Sequence, residues 1–316
     1  MLDKQISNAQ GRSVTVHAPG TVANLVCGFD VLGLALNEPY DIMTIRLMNE
    51  PTVVIHNVDS YNLPTDPERN VAGVALLEMI EQLDHKTGFD ITIEKRIKPG
   101  SGVGSSAASS AGAVVAANHL LGNIFSNNDL VQMAMFGEKL ASGVKHADNI
   151  TPCIMGGVTL IRSIMPLDII SVPSPLLYVT VVHPQIEVRT EDARQILKKQ
   201  ILLKDAIRQW GNIAGLVAGF MKNDYGLISR SLEDVLIEPV RSILIPAFAE
   251  VKAKSLEAGA LGGGISGSGP SIFMLSKDEA TALAVENAMK DVYTATGIAY
   301  HTYVTTVNTQ GVKVVE

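Results

Sequence analysis

A glycine-rich segment at residues 98–108 constrains the fold more than any other part of this sequence. It reads Lys-Pro-Gly-Ser-Gly-Val-Gly-Ser-Ser-Ala-Ala and joins an alternating, strand-like segment to a helix-like stretch of small residues. Glycines at alternate positions let the backbone approach a ligand without a Cβ clash. A helix that follows has unpaired N–H groups and a partly positive end, so phosphate is the expected ligand. The competing interpretation is a tight strand–helix turn in which a serine caps the helix.

The glycine spacing separates this loop from other ligand-binding and catalytic motifs. No lysine follows the glycines, as a Walker A loop requires, and Gly-x-Gly-x-Gly differs from the dinucleotide-binding spacing Gly-x-Gly-x-x-Gly. A second glycine-rich stretch, residues 259–269, lacks the Gly-x-Ser-x-Gly spacing of a hydrolase elbow. The pattern therefore argues against P-loop proteins, NAD-binding oxidoreductases and hydrolases of that type.

Hydrophobic periodicity predicts interleaved strands and helices. Because antiparallel strand signals dominate the first 60 residues, an α+β fold is favoured over a doubly wound sheet. A segment with Pro166, Pro173 and Pro175 predicts a linker, which divides the chain into domains 1–168 and 169–316. The predicted strands are 13–18, 40–47, 52–57, 89–97, 157–162, 177–183, 271–275 and 300–307, and the predicted helices include 71–83, 105–121, 128–144, 191–203, 205–222, 224–237 and 244–258.

The overall charge argues against nucleic acid as a partner. The sequence has 25 basic and 32 acidic residues, and its net charge of −7 repels a polyphosphate backbone. Cys27 and Cys153 lack metal-site spacing and are expected to be buried free thiols. The polar N-terminus and the absence of a run of about 18 strongly apolar residues predict a soluble, cytoplasmic protein with no membrane partner.

Three segments of the sequence together resemble the GHMP kinase superfamily. Pro-Gly-Ser-Gly-Val-Gly-Ser-Ser-Ala-Ala at 99–108 is similar to its phosphate-binding motif. Ala-Pro-Gly-Thr-Val-Ala-Asn at 18–24, followed by Gly-Phe-Asp-Val-Leu-Gly at 28–33, is similar to its N-terminal substrate motif. Gly-Ile-Ser-Gly-Ser-Gly-Pro-Ser at 264–271 is similar to its C-terminal glycine motif.

Two further segments, Lys-His-Ala-Asp-Asn at 145–149 and Ile-Glu-Pro-Val-Arg at 237–241, resemble the homoserine kinases within this superfamily. This resemblance implies an N-terminal ATP-binding domain with a left-handed βαβ crossover and a C-terminal ferredoxin-like domain. It implies that ATP, with Mg²⁺, phosphorylates the L-homoserine hydroxyl to O-phospho-L-homoserine in threonine biosynthesis, and it allows for a homodimer. The alternatives are a GHMP-type kinase for another small hydroxy acid, such as mevalonate or shikimate, and a non-catalytic member that binds ATP or a metabolite.

The resemblance also implies residue roles on the substrate side. Arg194 and Arg241 are expected to bind the substrate carboxylate, since guanidinium groups pair with carboxylates through two hydrogen bonds. Asp30 is expected to bind the amino or hydroxyl end. The sequence by itself fits two surface arginines and a turn-capping aspartate equally well. The implied substrate residues are Asn24, Asp30, Asn149, Thr190, Arg194, Arg241 and Gly267.

On the nucleotide side, the resemblance implies that Ser106 and Glu138 hold Mg²⁺, and a hydroxyl with a carboxylate suits that ion. Asn70 and Val71 match positions that contact adenine, whereas the sequence alone predicts a helix that begins there with Asn70 as its N-cap. The implied ATP and phosphate residues are Asn70, Val71, Lys98, Pro99, Gly100, Ser101, Gly102, Val103, Gly104, Ser105, Ser106, Ala107 and Ala108.

The segment around Asp148 leaves two mechanisms open. Phosphoryl transfer depends largely on positioning and charge neutralisation, so Asp148 is expected either to orient the substrate or to act as a weak base. Asn149 is expected to hold the substrate. We favour a structural or substrate-contact role for His146 over that of a general base. The expected catalytic residues are Asp148, Asn149, Ser106 and Glu138.

Overall fold

Two β-sheets organise the structure. The computed structural model describes residues 11–84 and 86–315, apart from the side chains of Thr190 and Glu191. The strands are β1 (Ser13–Ala23), β2 (Leu32–Met48), β3 (Val53–Asn57), β4 (Gly88–Glu94), β5 (Val158–Ile164), β6 (Leu167–Val172), β7 (Tyr178–Pro184), β8 (Gly262–Ile265), β9 (Ile272–Ser276), β10 (Tyr300–Thr306) and β11 (Lys313–Val314). The first sheet has the order β11-β1-β2-β4-β3, and β5 joins β2 to β6.

The long strand β2 is the centre of the first sheet. Its first part pairs with β5, its later part pairs with β4, and β1 lies antiparallel along both. Alternation explains β4, in which Phe89, Ile91 and Ile93 are buried and Asp90, Thr92 and Glu94 are half-buried. The prediction that the first strand ends at Pro19 is wrong, because β1 continues after a shift of register to Ala23.

The helices cover one face of each sheet. Of the helices within the described ranges, none is long and apolar enough to cross a membrane. Their bounds are α1 (Val71–Gln82), α2 (Ser105–Leu120), α3 (Asn127–Ser142), α4 (Ile150–Met155), α5 (Thr190–Gln195), α6 (Leu203–Lys222), α7 (Tyr225–Ser231), α8 (Glu238–Arg241), α9 (Phe248–Glu257) and α10 (Glu279–Thr296).

Helix α2 lies at the centre of the first layer. It packs against β1 and β2 on one side and against α1 and α3 on the other. A helix surrounded in this way needs small side chains, and its buried residues are mostly alanine and serine, including Ala107, Ala108 and Ala111. Its N-terminus begins directly at Gly104, so the glycine-rich loop is held by the best-packed helix of the domain.

The second sheet has the order β10-β7-β9-β8, with antiparallel pairing throughout. Helices lie between β7 and β8, a short turn joins β8 to β9, and α10 joins β9 to β10. This split βαβ arrangement confirms the ferredoxin-like prediction. In the first sheet β3 and β4 are parallel and are joined by α1, which forms the expected βαβ unit.

Further segments differ from the sequence-based expectation. The helix predicted at 191–203 ends at Gln195, and the strand predicted at 40–47 begins at Leu32. The proposed linker contains β6, which pairs with β5, so the chain passes from one sheet to the other at residues 173–177. The helix predicted at 224–237 ends at Ser231. There the Asp234 carboxylate accepts hydrogen bonds from the N–H groups of Leu236, Ile237 and Glu238, which compete with helical bonding.

Candidate active site

Three loops meet at one cavity of about 320 Å³. They are the phosphate loop (residues 98–104), the substrate loop (residues 24–31) and the C-terminal glycine loop (residues 266–270). Predicted site residues from both domains line the cavity, namely Asn24, Asp30, Val71, Pro99, Gly100, Gly102, Gly104, Ser105, Ser106, Glu138, Asp148, Asn149, Arg194, Arg241 and Gly267.

The glycines of the phosphate loop are required by its backbone. Gly100, Gly102 and Gly104 have φ values of 74°, 82° and 68°, which glycine adopts readily. A Cβ atom on Gly104 would lie 1.9 Å from the Thr21 hydroxyl oxygen. None of the side chains that the structure describes caps α2 at this end, where Gly104, Ser105 and Ser106 line the cavity. Uncapped N–H groups in the first turn of a helix are suited to bind an anion.

The C-terminal glycine loop is hydrogen-bonded directly to the phosphate loop. The Ser266 hydroxyl donates to the Gly102 carbonyl at 2.7 Å, and the Ser271 N–H donates to the Ser101 carbonyl at 3.3 Å. A Cβ atom on Gly102 would lie 2.7 Å from the Gly269 oxygen, so the two backbones approach as closely as glycine permits. The two domains therefore share one phosphate-facing surface.

The substrate loop adopts a conformation that most side chains avoid. Asn24, Leu25, Val26 and Asp30 all have positive φ values, although none is glycine. The Asn24 carboxamide oxygen accepts a hydrogen bond from the Asp30 N–H at 3.0 Å, and its amide donates to the Gly267 carbonyl at 2.9 Å. Strain of this kind concentrates at functional sites, where the surroundings fix the backbone.

Two arginines from the C-terminal half reach the substrate loop. Arg194 donates to an Asp30 carboxylate oxygen at 2.7 Å and approaches His146 Nδ1 at 3.3 Å. Within the described residues, its buried Nε has no hydrogen-bond partner. Arg241 is 4% exposed and donates to the carbonyls of Ala193 and Gly267. Burial, and then the charge of Arg194, lower the pKa of Arg241 to about 10.

Glu138 presents a buried carboxylate to the cavity. Burial raises its pKa, whereas a hydrogen bond from Ser106 lowers it. Its Oε1 has no hydrogen-bond partner in the part of the chain that the structure describes, so the carboxylate can still bind a cation. The same residues contain no cluster of three or more His, Cys, Asp or Glu side chains that could hold a metal. A carboxylate and a hydroxyl suit Mg²⁺, which keeps several waters and also binds substrate phosphates.

Asp148 and Asn149 also line the cavity, and a Cβ atom on Gly104 of the phosphate loop would lie 3.1 Å from the Asn149 carboxamide oxygen. Burial, and then the charges of Asp30 and Glu138, raise the pKa of Asp148 to about 7. The Asn149 carboxamide oxygen accepts a hydrogen bond from the Thr21 hydroxyl at 2.7 Å. Burial is the main cause that lowers the pKa of His146, which keeps its imidazole neutral near pH 7.

Several predicted nucleotide residues do not line the cavity. The Lys98 ammonium donates to the Gln185 carboxamide oxygen at 2.7 Å, and Asn70 caps α1 by accepting from the N–H groups of Ala72 and Gly73. The Ser105 hydroxyl, although it lines the cavity, donates to the Ile97 carbonyl. The side chain of Thr190 lies outside the described residues. The remaining predicted residues outside the lining are buried, namely Ser101, Val103, Ala107 and Ala108.

Other cavity residues were not predicted. Lys95 lies in a predicted strand, on the same face as the buried Phe89, Ile91 and Ile93, and no role was predicted for it. Its ammonium is buried against Asp41 and donates to the Ser105 carbonyl at 2.7 Å. Phe29 lies in the segment that resembles the substrate motif, but no sequence pattern predicted a role for its ring. The other unpredicted lining residues are Leu63, Ser109, Ala141, Ser142 and Ser268, together with His146, to which no firm role was given.

Comparison with known proteins agrees with this geometry. Family models match the GHMP kinases N terminal domain at residues 70–157 and the GHMP kinases C terminal domain at residues 216–295. A homoserine kinase of Chloroherpeton thalassium is 47% identical over 295 residues, which cover 89% of this chain and 92% of that protein. A homoserine kinase of Chlorobaculum tepidum is 41% identical and covers 96% of this chain and 98% of that protein.

Solved structures extend the comparison to the fold. The crystal structure of homoserine kinase from Cytophaga hutchinsonii is 49% identical, covers 96% of this chain and 97% of that chain, and has a TM-score of 0.92. An L. major mevalonate kinase in complex with R-mevalonate has a TM-score of 0.69 at 16% identity, which shows a shared fold alone. Because sequence, domain models and architecture agree over nearly the full length, the chain belongs to the homoserine kinase family of the GHMP kinases.

Proposed function

We propose that this chain transfers the γ-phosphate of ATP to the side-chain hydroxyl of L-homoserine, which yields O-phospho-L-homoserine and ADP. One observation carries the proposal: a phosphate-binding helix terminus and a cluster of two arginines with one aspartate line the same cavity. The cavity thus offers donors for a polyphosphate at one end and both charges needed for an amino acid at the other. The sequence similarity to homoserine kinases supports L-homoserine as the substrate.

At the nucleotide end, the chain supplies local hydrogen-bond donors for the phosphates, because its overall charge is negative. The first-turn N–H groups of α2 and the backbone of Gly100–Gly104 provide fixed donors for the phosphates, and this support matters because the net charge of −7 repels ATP. Val71 and Leu63 line the part of the cavity near the start of α1 and offer apolar contacts for the adenine ring.

We infer that Ser106 and Glu138 hold Mg²⁺ when ATP is bound. The ion supplies charge neutralisation between phosphate oxygens. Glu138 is suited to this role because its carboxylate is buried, has an unpaired oxygen and lies beside the Ser106 hydroxyl.

At the acceptor end, we assign the carboxylate of the substrate to Arg194 and Arg241. The buried, unpaired Nε of Arg194 provides one free donor for this purpose. The ammonium of the substrate is assigned to Asp30, whose carboxylate is 33% exposed and already pairs with Arg194. Asn24 and Asn149 then orient the rest of the substrate, and the hydroxyl is turned toward the phosphate loop. The reaction therefore depends chiefly on positioning two bound substrates in line.

Asp148 is proposed to orient the substrate without serving as an essential base. We expect Asp148→Asn to lower kcat by less than about 10²-fold, whereas loss of a general base costs about 10²–10⁴-fold. The isosteric amide keeps the shape of the side chain and one acceptor oxygen. A loss of about 10²-fold or more, with unchanged KM for L-homoserine, would identify Asp148 as the base.

The stability of the same variant provides a second measurement. The folded-state pKa of Asp148 is about 7, above its ordinary value, so the native state binds the extra proton and stability falls as pH rises from about 4 to 7. We therefore expect the Tm of Asp148→Asn to decline less with pH over this window than that of the parent. Asp291→Asn, an exposed change on α10, is the control and should leave the pH dependence unaltered.

A substrate panel tests the proposed function. ADP release with Mg-ATP is measured for L-homoserine, D-homoserine, 4-hydroxybutyrate, L-serine, mevalonate and shikimate. We expect strong turnover with L-homoserine and little with 4-hydroxybutyrate, which lacks the ammonium that Asp30 is proposed to bind. Turnover with mevalonate or shikimate would reassign the substrate, and ATP binding without any turnover would favour a non-catalytic role.

The wider setting follows from the proposed product. We infer that O-phospho-L-homoserine leaves for threonine biosynthesis in the cytoplasm. The support for this location is the soluble character predicted from the composition. The homodimer and the domain boundary at residues 168 and 169 stay predictions.

A further inference from the structure

The ring of Phe29 contacts both arginines of the cavity. The Arg194 Cζ lies 5.4 Å from the ring centroid, and the Arg241 Cζ lies 4.9 Å from it. Phe29 is half-buried and lines the cavity between the substrate loop and the C-terminal helices. Both distances are within the range of about 6 Å in which an aromatic face attracts a guanidinium group.

Two guanidinium groups in one cavity repel each other before any substrate arrives. Asp30 offsets this only in part, because its close ion pair is with Arg194. Among the described residues Arg241 has no ion-pair partner, and its hydrogen bonds go to the carbonyl oxygens of Ala193 and Gly267. Burial and then the charge of Arg194 lower the pKa of Arg241, whereas the charges of Asp30, Asp234 and Asp148 raise it. The face of the Phe29 ring is a further source of negative potential, and it contacts both guanidinium groups.

Hydrogen bonds hold the backbone on both sides of Phe29. Before it, the carbonyl of Cys27 accepts a hydrogen bond from the Gln209 amide at 2.8 Å. After it, the Asp30 N–H donates to Asn24. Gln209 is 4% exposed and also bonds Asp234 and Val235, so the loop is tied to the turn that precedes Arg241. Hydrogen bonds thus connect the backbone beside Phe29 to the turn that precedes Arg241.

We propose that Phe29 is a positioning residue whose ring holds the guanidinium groups of Arg194 and Arg241 at the spacing that receives the substrate carboxylate. This inference rests on the proposed function. The electron-rich face replaces a second carboxylate, which would itself compete with the substrate for the arginines. If the arginine side chains are already held in place, less conformational entropy is lost when the substrate binds. We therefore expect Phe29 to affect the KM for the substrate that carries the carboxylate.

Fluorinated phenylalanines test this role without changing the shape of the side chain. Site-specific incorporation of 4-fluoro-, 3,5-difluoro- and 3,4,5-trifluorophenylalanine at position 29 weakens the negative ring face in steps. We expect the KM for L-homoserine to rise stepwise, to about 10-fold for the trifluoro ring, since each contact is worth about 0.5–1 kcal/mol. The KM for ATP and kcat should stay within about twofold, because the other cavity contacts are kept. A flat series would overturn the proposal.

Two controls separate this role from simple packing. The same series at Phe248, whose ring lies 5.8 Å from the Lys252 ammonium outside the cavity, should leave the KM unchanged. L-homoserinol, which replaces the carboxylate by a hydroxymethyl group, should show no stepwise rise in KM at Phe29. A rise of equal size with homoserinol would overturn the carboxylate assignment of the ring. If the unmodified enzyme fails to phosphorylate L-homoserine, the proposed function itself is wrong, and this inference falls with it.

Discussion

We expect Glu138→Gln to lower kcat by about 10³-fold, because charge neutralisation by a metal ion is worth several kcal/mol and each 1.36 kcal/mol is tenfold in rate. The amide retains the size of the side chain and removes only the negative charge. Among the described residues that line the cavity, the other carboxylates are those of Asp30 and Asp148, which we assign to the acceptor rather than to the metal. The ATP concentration needed for half-maximal rate should rise less than kcat falls, because the backbone donors of the phosphate loop remain.

Stability measurements separate this effect from misfolding. The pKa of Glu138 is raised in the folded state, so the native protein prefers the protonated carboxyl and loses stability as pH rises above the ordinary range for glutamate. Glutamine mimics the neutral form, and the metal-free variant should therefore have a Tm at pH 8 at least as high as that of the parent.

The control for Glu138→Gln is Glu250→Gln, an exposed change on α9. It should leave kcat, the dependence on Mg²⁺ and the Tm unchanged. Steady-state rates are measured over a range of Mg²⁺ concentrations for both variants. A Glu138→Gln enzyme with kcat within tenfold of the parent would contradict the metal assignment. A variant with a much lower Tm at pH 8 would instead indicate that the carboxylate has a structural partner.

The phosphate loop was predictable from sequence because local backbone chemistry determines it. Alternating glycines before a run of small residues require a close approach of backbone atoms, and the positive φ values of Gly100, Gly102 and Gly104 agree with that requirement. The small side chains of α2 likewise indicated tight packing, and the helix lies between the sheet and two other helices. Signals of this kind depend on neighbouring residues and are visible in a single sequence.

Contacts between distant segments were predictable only through the family resemblance. Asp30 and Arg194 are separated by 164 positions, and no spacing rule connects them. The resemblance indicated that both belong to the substrate site, whereas their direct hydrogen bond and the shared contact with Phe29 follow from the fold. No sequence pattern marks Phe29 as a contact of both arginines, because that contact depends on the position of the C-terminal domain.

Local sequence patterns do not reveal a buried ion pair or a strand between prolines. Alternation places Lys95 on the buried face of its strand, but it does not identify Asp41 and the start of α2, which enclose that ammonium. Prolines on both sides of β6 indicated a linker, although the six residues from Leu167 to Val172 form a strand that pairs with β5. In both cases the tertiary partner, which the sequence window does not contain, decides the outcome.

The buried ion pair of Lys95 and Asp41 anchors the phosphate loop to the first sheet. Their side chains are 2% and 0% exposed. The Lys95 ammonium also donates to the Ser105 carbonyl at 2.7 Å and to the Ser109 hydroxyl at 3.0 Å, so it connects the strand to the first turn of α2. The second oxygen of Asp41 accepts from two backbone N–H groups that follow Lys95. Every strong polar atom of the pair is therefore satisfied, as a buried pair requires.

We expect Lys95→Met to lower the free energy of unfolding by about 3–5 kcal/mol, since removal of one partner leaves the other as an uncompensated buried charge. Adding Asp41→Asn should recover at least about 1 kcal/mol, because the amide removes that charge and still accepts backbone hydrogen bonds. The control is Arg208→Met, which breaks an ion pair with Glu233 whose side chains are 60% and 47% exposed. That change should cost no more than about 1 kcal/mol.

Urea unfolding at pH 7, followed by far-ultraviolet circular dichroism, measures all of these variants in the same way. If the double variant is no more stable than Lys95→Met, the lower free energy of unfolding results from lost packing and not from the uncompensated charge of Asp41. If Lys95→Met costs no more than Arg208→Met, the pair does not hold the phosphate loop. A large cost for Lys95→Met that Asp41→Asn partly reverses is the outcome that follows from a buried, fully bonded ion pair at the start of α2.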